Sequence, residues 1–188
     1  SDNGAGMRIY QGEDYFQSTM GLRGHKQNLY EGGIRTPFLA RWPGKIKPGS
    51  TSDQQTYFAD VMATLCDVGG TSPASDTDGH SIVPTLTGQG AQQKQHEYLY
   101  WELPRYNAKT ESFLKEVPMQ AARAGNWKAV RPKQDGEVEL YDLANDPYEQ
   151  RNVAGERKAE LARMEGILKS ARTEPRPLKS PSRAYWDE

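Results

Sequence analysis

"LRGHKQNLYEGGIRTP", Leu22–Pro37, packs Arg23, His25, Lys26 and Arg35 into thirteen residues and interleaves them with Gly24, Gly32 and Gly33, with Gly21 just before. Glycine lets a backbone approach a ligand or another chain segment closely. Lysine and arginine neutralise an anion such as sulfate or phosphate. A histidine beside them can pass a proton to a leaving oxygen. A solvated basic loop has the same composition, but it has no need for glycines on both sides of the cations.

Upstream stands "SDNG", Ser1–Gly4, in which Asp2 and Asn3 offer adjacent hard oxygen donors of the type that Ca²⁺ or Mg²⁺ prefers. The same residues are ordinary turn formers, and two oxygens do not fill a shell of about six to eight ligands. Residues 1–33 read as loop with a short helical turn. Downstream, "IRTPFLARWPG" (Ile34–Gly44) predicts a buried strand around Phe38, Leu39, Ala40 and Trp42, closed by Pro43-Gly44. "TSDQQTYFADVMATLCDVGG" predicts a helix capped at Thr51 or Ser52. Its apolar stripe runs through Tyr57, Phe58, Val61, Met62, Leu65 and Val68, and Gly69-Gly70 stops it. Cys66, on that stretch, reads as a small buried apolar residue.

After Gln95 the texture changes. "EYLYWEL", "MQAARAGNWKAVRP" and "EVELYDLAND" are short aromatic or β-branched runs separated by turns, which predicts an antiparallel meander. "GERKAELARMEGILKSAR" aligns Leu161, Met164, Leu168 and Ala171 on one helical stripe, and a proline-containing tail follows from Thr173. The expected organisation is residues 1–95 as one part, 96–172 as a sheet with a packing helix, and 173–188 as an extended tail.

The totals restrict the function. With 24 Lys plus Arg against 25 Asp plus Glu, a net charge of −1 gives no basis for nucleic acid as the main partner. One cysteine excludes an internal disulfide framework. No apolar run approaches the roughly 20 residues that span a bilayer. Ser1 is not followed by a basic and then apolar leader and no initiator methionine is present, so the chain reads as a mature or excised piece.

Taken together, the Asp-Asn pair, the Gly-His-Lys…Glu-Gly-Gly-Ile-Arg-x-Pro run and the apolar stretch ending in Trp-Pro-Gly resemble the sulfatases of the alkaline phosphatase superfamily. "YFADVMATLCDVGG", "DGHSIVPTLTG" and "WKAV…ELYDLANDPYEQRNVA" extend the resemblance in order to about residue 170. It implies the C-terminal part of an arylsulfatase-like, sulfuric ester hydrolase. The fold class implied is α/β (α+β in this stretch): the end of the α/β catalytic domain, then a small antiparallel sheet packed by a C-terminal helix.

On that resemblance Asp2 and Asn3 would complete a divalent cation site, usually calcium. Lys26 would contact the sulfate group, and His25 would lie on the leaving-group side, as catalytic and substrate-binding residues. Arg105 and Tyr106 would line the substrate pocket. The resemblance also implies a formylglycine nucleophile made from the Cys or Ser of a Cys/Ser-x-Pro-x-Arg motif. That motif is absent here; "KSPSR" (Lys179–Arg183) has lysine at the required position. The chain by itself is therefore expected to be inactive, with the formylglycine upstream. The substrate would be a sulfated small molecule or carbohydrate, the location periplasmic or secreted, and self-association could use an exposed sheet edge. Two alternatives stand beside this reading: a phosphodiesterase or phosphonate monoester hydrolase of the same superfamily, and a non-catalytic carbohydrate-binding module.

Overall fold

The β-branched and aromatic runs after Gln95 pair as the meander reading expects. In the computed structural model, which describes residues 3–6, 16–104, 106–107, 112–113, 118–133 and 136–173, the elements follow in chain order. They are helices α1 (Glu31–Ile34), α2 (Ala59–Val68) and α3 (Val83–Leu86), strands β1 (Leu99–Leu103), β2 (Tyr106–Asn107), β3 (Ser112–Phe113), β4 (Met119–Ala124), β5 (Trp127–Arg131) and β6 (Glu139–Asp142), and helix α4 (Lys158–Ser170). β1, β4, β5 and β6 form one antiparallel sheet in that spatial order, and β2 pairs with β3 separately. The β4–β5 hairpin turns on Gly125-Asn126, with Gly125 at φ +60°, a left-handed conformation that glycine adopts without strain. The outer edge of β6 is covered by the following segment: Val153 donates to the Leu140 carbonyl at 2.9 Å, and Asn152 Oδ1 accepts from the Leu140 amide at 3.0 Å.

Strand alternation sends alternate residues to two different partners. On one face Ala122, Ala124, Ala129 and Leu140 pack against Met164 and Leu168 of α4, all at 5% exposure or less. Alanines on the strands let the helix approach closely, and the predicted stripe of α4 supplies the two fully buried side chains. On the other face Ala121, Val130 and Tyr141 pack against Leu29, with Tyr30 and Ile34 at the margin. The second layer is thus the Leu22–Pro37 segment itself. Both faces of β4 and β5 are covered, which is why "MQAARA" and "WKAVR" lack a simple alternation of apolar and polar residues.

Two expectations from the first half of the chain are corrected. Ile34–Gly44 forms no strand: Phe38 is 59% and Leu39 93% exposed, and among the described residues no strand precedes Leu99 to pair with it. An apolar run becomes a buried strand only where a neighbour accepts its backbone hydrogen bonds. The helix begins at Ala59 instead of Thr51, because Asp60 reaches back to accept from the Tyr57 amide at 3.1 Å while residues 51–57 run without regular structure. Its inward face is Asp60, Ala63 and Thr64, whereas Met62 and Leu65 are more than 60% exposed and Cys66 is half-buried rather than buried. Helical periodicity located α2 and misjudged which side the fold covers.

Candidate functional site

The basic loop is held in place by backbone contacts that only glycine permits. Gly24 takes φ +80°. Gly32 lies so close to the opposite limb that a Cβ would sit 2.3 Å from the Gly24 carbonyl oxygen, and a Cβ on Gly33 would sit 2.1 Å from that of Asn28. The Gly32 amide donates to the Arg23 carbonyl at 2.7 Å and the Gly33 amide to that of Tyr30 at 2.9 Å. Inside the loop the Asn28 side chain accepts from the His25 amide at 3.1 Å, and the Asn28 amide donates to the His25 carbonyl at 2.8 Å. Lys26 is exposed at the tip and His25 is half-buried.

The described end of the "SDNG" stretch, Asn3-Gly4, docks on this loop together with Ala5. The Gly4 amide donates to the Gly33 carbonyl at 2.9 Å, and the Ala5 carbonyl accepts from the Lys26 amide at 2.8 Å. A Cβ on Gly4 would meet the Gly32 and Gly33 carbonyl oxygens at 2.4 and 2.5 Å, so glycine is the residue that lets the two segments touch. Asn3, half-buried, therefore lies one residue from a direct contact with the His25-Lys26 loop, although the two are more than twenty positions apart in sequence. Asp2 lies outside the described residues. The Asn3 carboxamide beside this glycine cradle is a hard oxygen donor of the type that fits a divalent cation. Among the described residues no cluster of three or more His, Cys, Asp or Glu is placed to hold a metal.

His25 Nδ1 lies 2.7 Å from the Lys26 carbonyl oxygen. A carbonyl only accepts, so Nδ1 carries a hydrogen and Nε2 is the nitrogen left to take up or release a proton.

Beneath the loop lies a buried ionic cluster. Lys128, on the loop-facing side of β5, is fully buried, and its Nζ is 2.9 Å from Glu31 Oε1 and 3.0 Å from Glu149 Oε1. Glu149 Oε2 accepts from the Glu31 amide at 2.7 Å. Arg123 and Arg35 approach the second oxygen of Glu31 at 3.7 and 3.9 Å. Burial pushes the Glu149 carboxyl above its usual range, and Lys128 opposes that shift. Beside this cluster Arg23 Nη1 donates to Tyr141 Oη at 2.6 Å and to the Glu149 carbonyl at 3.0 Å, while its guanidinium stacks 3.9 Å above the Tyr30 ring. The Tyr30 and Tyr141 hydroxyls both donate to Glu139 Oε2, at 2.7 and 2.6 Å. Burial, then the Glu139 carboxylate, pushes both phenols well above the ordinary tyrosine value.

The sequence reading did not single out Glu31, Lys128, Glu139, Tyr141 or Glu149. A signal was available in Lys128, a lysine between Trp127 and Ala129 in the strand "WKAVR", since lysine is rarely buried without a partner. Of the expected pocket residues, Arg105 lies outside the described residues, and Tyr106 is seen only as backbone paired with Phe113.

A second polar cluster joins α2 to the start of the sheet. Asp60 Oδ1 lies 2.8 Å from His96 Nε2 and accepts from the His80 amide at 2.8 Å. The two imidazoles stack with centroids 4.2 Å apart and planes 9° from parallel. His80 is held below the usual imidazole range by burial, then by His96 and Lys94, against the pull of Asp60.

Comparison with known proteins places this architecture. Residues 24–173 match the family described as N-sulphoglucosamine sulphohydrolase, C-terminal. An ulvan-active sulfatase of Formosa agariphila is 32% identical over 150 residues, covering 65% of this chain and 29% of that protein. A solved structure from work on the metabolism of multiple glycosaminoglycans by Bacteroides thetaiotaomicron superposes with a TM-score of 0.58 at 27% identity, covering 81% of this chain and 32% of that one. A phosphonate monoester hydrolase from Silicibacter pomeroyi superposes with a TM-score of 0.57 at 27% identity, over 70% of this chain and 28% of the other. The chain thus spans about a third or less of the relatives it matches.

Proposed function

The chain belongs to the sulfatases, through their C-terminal region, and on that premise we propose that it supplies the sulfate-binding side of a sulfate-ester hydrolase. The observation that carries this reading is the docking of the Asn3-Gly4-Ala5 segment on the His25-Lys26 loop, which brings Asn3, one cation-type donor, to the loop that carries Lys26. Lys26 offsets the negative charge on the sulfate oxygens, a role that gains strength as charge builds on them in the transition state. His25, with Nδ1 committed to the Lys26 carbonyl, presents Nε2 toward the leaving oxygen and transfers a proton there. Asp2 and Asn3 would contribute oxygen ligands to a divalent cation, calcium by the family's habit, which when bound supplies further neutralisation of the sulfate charge. Residues 1–95 carry the chemistry, and 96–172 form the sheet on which the loop rests.

Sulfated carbohydrate is the substrate class we favour, on the names of the relatives, and a periplasmic or secreted location accompanies it. Among the described residues no helix is long and apolar enough to cross a membrane. The formylglycine nucleophile belongs to an upstream segment, and residues 1–188 alone turn over no sulfate ester. The phosphonate hydrolase likeness favours a second reading, in which the same loop holds a phosphonate or phosphate monoester.

The test is Lys26→Ala in the full-length gene product, assayed on 4-nitrophenyl sulfate and on a phenyl phosphonate monoester. A loss of about 100-fold in kcat/KM for the sulfate is the expected result, the scale set by removing one charge-stabilising donor. Wild-type turnover of the sulfate ester would falsify the sulfate role of the loop. Loss confined to the phosphonate ester would select the second reading.

A further inference from the structure

Glu149 holds the loop that carries His25 and Lys26 from both of its ends. Its backbone carbonyl accepts from Arg23 at 3.0 Å, just before the loop, and its carboxylate accepts from the Glu31 amide at 2.7 Å, just after it. The other carboxylate oxygen pairs with Lys128 at 3.0 Å, which fixes the whole assembly to β5. The residue is fully buried, so its carboxylate contacts with Glu31 and Lys128 are shielded from water. It also sits at φ +55°, a left-handed conformation that costs a non-glycine residue about 1 kcal/mol or more. Glycine would relieve that strain and lose the carboxylate. Strain of this kind persists where the surrounding structure over-determines a position.

Nothing in the chemistry of sulfate binding requires a carboxylate at residue 149. Its contacts described above are with Arg23, Glu31 and Lys128. What its contacts determine is the position of the two limbs between which the loop is stretched. A misplacement of about 1 Å at a charge-stabilising group can cost on the order of 100-fold in rate.

We propose that Glu149 is a positioning residue for the reaction, acting through the Arg23 and Glu31 limbs to set where Lys26 and His25 meet the sulfate ester. The proposal rests on the sulfatase role given to Lys26 above. It assigns a catalytic-support role to the small sheet subdomain, in which residue 149 lies outside any strand or helix.

The experiment uses the full-length gene product with Glu149→Gln, which keeps size and one acceptor while removing the charge, and Glu149→Asp, which keeps the charge on a shorter stem. Two readouts are taken: kcat and KM on 4-nitrophenyl sulfate, and amide hydrogen exchange at Lys26, Gly32 and Gly33 compared with Ala122 and Ala129 in the sheet. Glu149→Gln should lower kcat about 10- to 100-fold and speed exchange at the three loop amides while the sheet amides keep their protection. Glu149→Asp should recover part of the kcat. If Glu149→Gln does not fold, Arg23→Met releases the other limb while Glu139 keeps its bonds from the Tyr30 and Tyr141 hydroxyls, and it should give the same exchange pattern.

Unchanged exchange in the loop of a folded variant overturns the proposal. So does faster loop exchange with unchanged kcat/KM while Lys26→Ala abolishes turnover. Wild-type turnover by Lys26→Ala would instead remove the sulfate role of the loop, and the exchange data would still report whether Glu149 holds it.

Discussion

Removal of Lys128 tests whether the basic loop is bound to the sheet by charge. Each of its two ion pairs, at 2.9 and 3.0 Å, is worth about 6 kcal/mol of Coulomb attraction at an effective dielectric constant near 20. Most of that gain is spent in stripping water from three charged groups. Replacing lysine by methionine keeps the stem and leaves two carboxylates facing one another in a dry site. Glu31 retains Arg123 and Arg35 at 3.7 and 3.9 Å, whereas the Glu149 carboxylate loses its only ion-pair partner among the described residues. Breaking one partner of a buried pair costs about 3–5 kcal/mol, and the residual arginines place Lys128→Met near 3. For a chain of this size that is a fall in Tm of about 6–12 °C. Without the lysine, Glu149 is driven further above its ordinary pKa, so the folded state binds a proton that the unfolded state releases. Stability then declines as pH rises through that window, and the deficit is larger at pH 8 than at pH 5. Thermal unfolding followed by circular dichroism at both pH values measures it, alongside the triple variant Glu31→Gln, Lys128→Met, Glu149→Gln. The triple variant should regain part of the loss, since none of the three fully buried charges remains. A deficit below about 1 kcal/mol, or a triple variant as unstable as the single one at both pH values, would show that charge is not what holds the loop.

Four further outcomes can be checked on the same chain. Gly33→Ala would place a Cβ 2.1 Å from the Asn28 carbonyl, so it should destabilise by about 2 kcal/mol or more and raise exchange at the Lys26 amide. Because the folded pKa of His80 lies below 6.5, the folded state binds fewer protons there. Stability should therefore fall as pH drops from about 6.5 toward the depressed value, and His80→Gln should flatten that slope in denaturant titrations. Met164→Ala, at a site with no exposure, should cost about 2–5 kcal/mol. Leu65→Ser, on the 61%-exposed face of α2, should change stability by less than about 0.5 kcal/mol.

The exposed face of α2 shows where pattern reading ends. Periodicity found the helix from the spacing of Val61, Leu65 and Val68, because 3.6-residue recurrence is a property of the chain alone. It did not reveal that Asp60, Ala63 and Thr64 face inward, since Asp60 is covered through bonds to His80 and His96 that come from later segments of the chain. The same limit explains Phe38 and Leu39, whose apolar run resembles a strand but finds no partner among the described residues.

What the sequence by itself determined is local. The runs after Gln95 become strands and "ELARMEGILKS" becomes a helix with Met164 and Leu168 inward, because side-chain alternation and helical spacing follow from backbone geometry. The Gly-His-Lys loop and its family were also legible, as the glycines and cations stand next to one another in the chain. Only the tertiary structure decided what the loop rests on. Glu31, Lys128 and Glu149 span more than a hundred positions and meet in one buried cluster. A lysine and two acids become a clasp only when folding removes the water that would otherwise keep them apart.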